Sequence, residues 1–206
     1  MKNIQFTFDF QDYVPRKTAN QKLIEAEFKD VFTAFVATVE QSFREAKRTF
    51  NGIKPMKRGR NLFAELLNGN ICGSMYDQFP NQCKRVKHGR MACVINGTVA
   101  FFKNLYDNHR PKRKETLNSI ALEENIQPKH CTEQSVIWFG YTVSKDKSCI
   151  TGIYVNHLNN DPKKSWEIDL YDWIVTKDID KISIEPISEN EPALKKRKQQ
   201  KEGNNI

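Results

Sequence analysis

Long apolar runs are missing from this chain of 206 residues. Nothing in it approaches the roughly 20 apolar residues that a bilayer-spanning helix needs, so no membrane span is expected. The segment Met1 to Phe10 alternates polar and apolar residues and lacks the continuous apolar stretch of a secretory signal. The five cysteines, Cys72, Cys83, Cys93, Cys131 and Cys149, contain no CxxC pair, and their odd number argues against a disulfide framework. Reduced thiols and a cytoplasmic location are the expectation. Also absent are a P-loop, a Rossmann glycine pattern, GxSxG and HExxH, so no cofactor is expected and the enzyme reading has no local signature behind it. The RNP patterns of an RNA-recognition sheet are missing as well.

What is present is a chain of one-domain length. Hydrophobic residues make up 38% and aromatics 11%, which points to a core rich in Phe. Ile4, Phe6, Phe8 and Phe10 alternate with polar residues and read as a half-buried strand ended by Pro15. From Asn20 to Thr49, apolar residues recur at three- and four-residue spacing: Ile24, Phe28, Val31, Phe32, Phe35, Val39, Phe43 and Ala46. This predicts one long amphipathic helix, stopped by Asn51-Gly52 and Pro55. A short helix is expected at Asn61 to Leu67, broken by Gly69 and Gly73, and another at Lys114 to Glu124. Asn96-Gly97 between Met91–Ile95 and Thr98–Phe102 signals a type I′ hairpin. Val136–Val143 and Ile150–Leu158 read as a second hairpin. Ser165–Leu170 and Lys181–Ile187 read as further strands.

The expected fold is therefore α+β: a long N-terminal amphipathic helix packed on an antiparallel or mixed β-sheet built from hairpins. Residues 1–187 form the single expected domain. From Ser188 to Ile206 the aromatics vanish and charge dominates, so this segment is expected to be a disordered charged tail.

Charge is the most informative functional feature. The chain has 33 Lys and Arg against 25 Asp and Glu, a formal net charge of +8. Between Lys54 and Lys114 there are thirteen bases and only Glu65, Asp77 and Asp107, a net of +10. The tail carries +2, so the remainder is −4. Twelve of the thirteen cluster in loops, with Lys103 apart: Lys54, Lys57, Arg58 and Arg60; then Lys84, Arg85, Lys87 and Arg90; then Arg110, Lys112, Arg113 and Lys114. If the loops meet at one end of a sheet, polyanion phosphates would neutralise them and release counterions. Gly59 and Gly89 would let a phosphate approach the backbone closely. A solvated surface, or a face that docks on an acidic protein, uses the same residues. Trp138, Phe139 and Tyr141 lie in an expected strand, with Trp138 on one face and the other two on the opposite one. Exposed, they would stack on unpaired bases; buried, they are core.

Two further constellations have chemical content. Cys83-x4-His88-x4-Cys93 resembles the last three ligands of a zinc knuckle, the small module of retroviral nucleocapsids. The resemblance spans eleven residues. The family's first Cys position is Pro80 here, which cannot ligate, and Cys72 is the nearest substitute. Zinc needs four convergent ligands, so two cysteines buried in the core are the simpler reading. Glu167 and Asp169 share one face of an expected strand, as paired Mg²⁺-holding carboxylates do in nucleases. Their alternation with Trp166, Ile168 and Leu170 is also that of any strand with a wet and a dry face. His130 adjoins Cys131, but a nucleophile and its base normally meet through the fold rather than in sequence. The first expectation is a non-enzymatic accessory protein that binds nucleic acid. Docking on an acidic protein surface, as an interaction or inhibitory factor, is the alternative. A divalent-metal nuclease is the second alternative.

Overall fold

The computed structural model describes residues 12–59, 61–85, 91–112, 116–129, 131 and 134–182. Helices α1 (Gln21–Glu27) and α2 (Lys29–Gly52) come from the segment expected to be one helix. Asn20 caps α1, its side chain accepting from the Leu23 N–H at 3.2 Å. The break is at Phe28 (φ −103°, ψ 9°). The helical bonding runs through it, Phe28 N–H to the Ile24 carbonyl and Phe32 N–H to the Phe28 carbonyl. Phe28 itself is fully buried.

Helix α3 (Leu62–Gln78) is more than twice as long as the sequence suggests, and it runs straight through Gly69 and Gly73. Each glycine costs a helix about 1 kcal/mol relative to Ala. The opposing term is burial: Phe63, Leu67, Ile71 and Met75 form a four-residue stripe, all of them inaccessible or nearly so. At about 1.5–3 kcal/mol for each buried side chain of this size, the stripe outweighs both glycines.

The main sheet has six strands in the order β2-β3-β4-β6-β7-β8. These are β2 (Cys83–Arg85), β3 (Met91–Ile95), β4 (Thr98–Asn104), β6 (Ser135–Val143), β7 (Ile150–His157) and β8 (Trp166–Asp169). The two hairpins read from the sequence, β3–β4 and β6–β7, are both antiparallel. Asn96 and Gly97 take positive φ (46° and 79°), as a type I′ turn requires. Strands β4 and β6 run parallel, which makes the sheet mixed. A second, two-stranded sheet pairs β1 (Tyr13–Pro15) with β5 (Ile126–Pro128). Helix α4 (Leu117–Glu123) opens on Thr116, whose side chain joins a reciprocal cap with Ser119.

Near the C-terminus a helix replaces the start of the strand expected at Lys181–Ile187. Leu170 starts a helix, α5 (Leu170–Ile182), so Lys181 and Ile182 are helical and not strand. The reason is local: the Asp169 carboxylate accepts from the Tyr171 N–H at 2.9 Å and the Asp172 N–H at 3.4 Å, capping the new helix. The expected strand at residues 3–10, residues 183–187 and the tail from 188 lie outside the described residues. Among the described residues, no helix is long and apolar enough to cross a membrane.

The core lies between the helices and one face of the sheet. Phe139 of β6 is its centre: Phe28, Phe32, Phe35 and Phe102 all place their rings within 5.1–6.0 Å of it. Tyr141, Ile153 and Val155 share that face and are fully buried. On the opposite face Leu105 lies directly over Gly140. A Cβ at Gly140 would collide with the Leu105 side chain, so only glycine lets the chain after β4 cross the sheet this closely.

Candidate nucleic-acid interface

Strand β2 is an edge of the main sheet, and its outer side faces α3 across a groove. The groove has a volume of about 680 Å³. Helix α3 lines it with Asn68, Gly69, Cys72, Gly73, Tyr76 and Asp77, and the strand side supplies Cys83, Lys84, Arg85 and Met91. It exists because α3 has two different faces. The Phe63-to-Met75 stripe packs inward, while Gly69 and Gly73 leave two positions of the groove-lining face without a side chain. A Cβ at either glycine would meet nothing within 4 Å. Tyr76 is 45% exposed at the wall.

The strand period puts Cys83 and Arg85 on the helix side of β2, with Lys84 at the rim. Both basic side chains are exposed. Among the described residues neither has an ion-pair partner. Burial pushes the Cys72 thiol up to about 11, against the opposing pull of Lys103 and Arg85. The strand side of the groove carries Lys84 and Arg85, and the helix side carries Asp77.

A second basic cluster forms where α2 ends. Arg58 donates from Nε to the Ile53 carbonyl at 2.8 Å and from Nη2 to the Asn51 carbonyl at 3.1 Å, and its guanidinium lies 4.7 Å from the Phe50 ring centre. Lys147, from the β6–β7 turn, approaches the same ring at 5.4 Å. Lys47 donates to the Ser148 carbonyl at 3.0 Å. Cations at a helix C-terminus complement its dipole, so Arg58 is committed to ending α2. Lys54 and Lys57 beside it are exposed. Lys147 has no counterpart in the sequence reading, because it stands almost ninety residues from Arg58.

Arg110 and Lys112 sit elsewhere. Their loop crosses the sheet face away from the helices, held by Leu105 over Gly140 and by the Asn156 amide donating to the His109 carbonyl at 2.8 Å. Arg110 faces a small cavity of about 220 Å³ shared with Glu123 and Glu124, and the Lys112 ammonium lies 5.7 Å from the Tyr106 ring centre. The central bases are therefore distributed over both faces of the sheet. Arg60, Lys87, Arg90, Arg113 and Lys114 lie outside the described residues, as do His88, Gly89 and His130.

No protein-family model, no curated protein and no solved structure matches the chain.

Glu167 bonds the His109 ring at 2.8 Å, and that ring stacks on Tyr154 with centroids 3.9 Å apart. Asp169 caps α5. Each carboxylate already has a structural partner. Cys83 and Cys93 are both buried and stand opposite each other in the β2–β3 ladder. Among the described residues, no three His, Cys, Asp or Glu side chains gather in a way that could hold a metal ion. Trp138, Phe139 and Tyr141 are each at most 5% exposed, so all three are core and none is a stacking platform. Two exposed aromatics stand beside basic residues among the described residues: Tyr106 near Lys112 on the far face, and Tyr76 in the groove with Lys84 and Arg85. The sequence signal for Tyr76 was the second stripe of α3, Asn68, Cys72 and Tyr76, hidden by reading the glycines as a helix stop.

Proposed function

We propose that this protein binds nucleic acid as a non-enzymatic accessory factor, working in the cytoplasm. The observation that supports it is the α3–β2 groove, where Lys84 and Arg85, with no ion pair among the described residues, line the same space as the exposed ring of Tyr76. Phosphate oxygens would accept from the two basic side chains, and Tyr76 would offer a face to an unpaired base. Lys54 and Lys57, exposed just after α2, offer further basic side chains outside the groove. The groove volume falls in the range of about 300–1,000 Å³ usual for small-ligand sites, so it suits a nucleotide unit of a strand.

The test is fluorescence anisotropy of labelled single- and double-stranded oligonucleotides across a salt series. Affinity is expected to fall linearly on a log–log plot, by roughly 0.7–0.9 per phosphate neutralised. Absence of binding at low salt to every oligonucleotide would refute the proposal.

A second reading has its own observation: β2 is an edge strand, and an acidic segment of another protein would extend the sheet there, its carboxylates meeting Lys84 and Arg85. A pull-down with and without nuclease treatment separates the two. A partner kept after nuclease treatment favours the protein.

A further inference from the structure

Cys83 and Cys93 are ten residues apart in sequence but directly opposite in the β2–β3 ladder. The ladder also fixes which type of pair they are. The Val94 N–H donates to the Gln82 carbonyl at 2.9 Å, so the adjacent pair is hydrogen-bonded and Cys83–Cys93 is a non-hydrogen-bonded pair. Opposed residues of that type have Cα atoms about 4.5 Å apart and bring their side chains closest. That spacing lies inside the range of about 4.4–6.8 Å that a disulfide accepts. Both side chains point to the helix side of the sheet. Cys83 lines the groove, while Cys93 is fully buried behind it.

We propose that Cys83 and Cys93 are an oxidisable dithiol, closing to a disulfide on reaction with a small disulfide oxidant such as oxidised glutathione. Cys83 thiolate attacks one sulfur of the oxidant, forming a mixed disulfide and releasing one thiolate, which takes the proton that Cys83 lost. The Cys93 sulfur then displaces the second thiol, its own proton passing to that leaving group. Two S–H bonds are broken, one protein S–S bond is formed, and the oxidant leaves as two thiols.

The order of attack follows from the environment. A hydrogen bond from Cys93 holds the Cys83 thiol below its ordinary value, and the same bond together with burial pushes Cys93 up. Cys83 is also the thiol that the groove reaches. Among the described residues β2 (three residues) pairs on one side only, with β3, so local opening exposes Cys83 without unfolding the core. Cys72 lines the same groove, but burial raises it to about 11, which leaves it a poor competitor.

The experiment incubates the full-length protein in glutathione buffers of increasing oxidised fraction. Remaining thiols are then alkylated under denaturing conditions, and the unreduced protein is digested and mapped by mass spectrometry. A peptide joining Cys83 to Cys93, reversed by reductant, is expected, with Cys131 and Cys149 alkylated or carrying glutathione. Cys93→Ser is expected to trap glutathione on Cys83; the map of the unsubstituted protein decides the question if that variant does not fold. A link from Cys72 to either cysteine would overturn the assignment. So would Cys83 and Cys93 both recovered alkylated from the most oxidising buffer.

Discussion

On the helix side of the sheet, Lys84 and Arg85 stand exposed at the edge of a groove that Asp77 also lines, and neither forms an ion pair among the described residues. On the far side, His109, Tyr154, Glu167 and Asn156 engage one another within a single layer. Both regions assemble polar residues from distant parts of the chain. In one, the charged groups have been left available; in the other, they hold a loop onto a sheet. The lesson is that charge density along a sequence does not identify a binding surface, since Arg58 and Glu167 belong to charged segments and are both committed to internal contacts. Availability after folding is what distinguishes Lys84 and Arg85.

The largest effect expected from breaking this contrast is on binding. Lys84→Glu combined with Arg85→Glu is predicted to weaken oligonucleotide affinity by about 100-fold at low salt, since it removes two phosphate contacts and adds two repulsive charges. The melting temperature should barely move, because exposed substitutions usually change stability by about 0.5 kcal/mol or less. Equal affinity for the wild type and this variant would remove the groove from the binding surface.

The next effect belongs to the other side. Gly140→Ala places a methyl against Leu105, with overpacking of this kind typically costing about 1–3 kcal/mol. Chemical denaturation should show that loss, while anisotropy with oligonucleotides stays near the wild-type value. Asp169→Ala removes the cap of α5 and is expected to cost about 1 kcal/mol, measured the same way.

The fold was legible where a local signal and the tertiary contacts agree. Asn96-Gly97 announces a turn that the backbone adopts, and the Phe-rich period of α2 is the stripe that packs on Phe139. It was not legible where tertiary burial overrode local preference, as with the glycines of α3. Nor could a sequence show that Asp169 ends a strand by capping a helix, because a strand's wet carboxylate and a helix cap are the same residue type in the same place. The candidate interface was half legible. Lys84 and Arg85 were visible as a basic run. The groove required α3 to continue past Gly69, and the separation of Arg110 from Arg85 required knowing that the chain after β4 crosses the sheet over Gly140.

A smaller effect follows from His157, which is fully buried with its Nδ1 bonded to the Val136 carbonyl at 2.8 Å. Burial lowers its pKa below the ordinary value, partly offset by that bond. The unfolded chain therefore takes up a proton at higher pH than the folded chain. The stability this group contributes is present above the ordinary histidine value of about 6.5 and declines as pH falls from there toward the lower folded value. His157→Gln should flatten the pH dependence of stability in that window. An unchanged slope would assign the dependence to other groups.

The smallest effect separates a latch from a catalytic carboxylate. Glu167 and His109 are 38% and 32% exposed, so solvent screens their bond and its contribution should be under about 1 kcal/mol. Glu167→Gln keeps the size of the side chain and retains an oxygen for His109, so the melt should shift only slightly. The loop bearing Arg110 should stay in place, because Leu105 over Gly140 and the Asn156 bond to the His109 carbonyl hold it independently. Oligonucleotide affinity should be equal or marginally higher, as one negative charge is lost from a net-basic molecule. If Glu167 instead worked with Asp169 to hold a divalent cation, Mg²⁺ or Mn²⁺ would raise the melting temperature of the wild type and not of the variant. Cleavage of a labelled oligonucleotide would then depend on the metal and disappear in Glu167→Gln. That result would reverse the contrast between the two faces, making the far face the working one and the groove its grip on substrate. The expected result is no metal-dependent shift and an intact oligonucleotide, because the Asp169 carboxylate already accepts from two backbone N–H groups at the start of α5 and Glu167 already bonds His109.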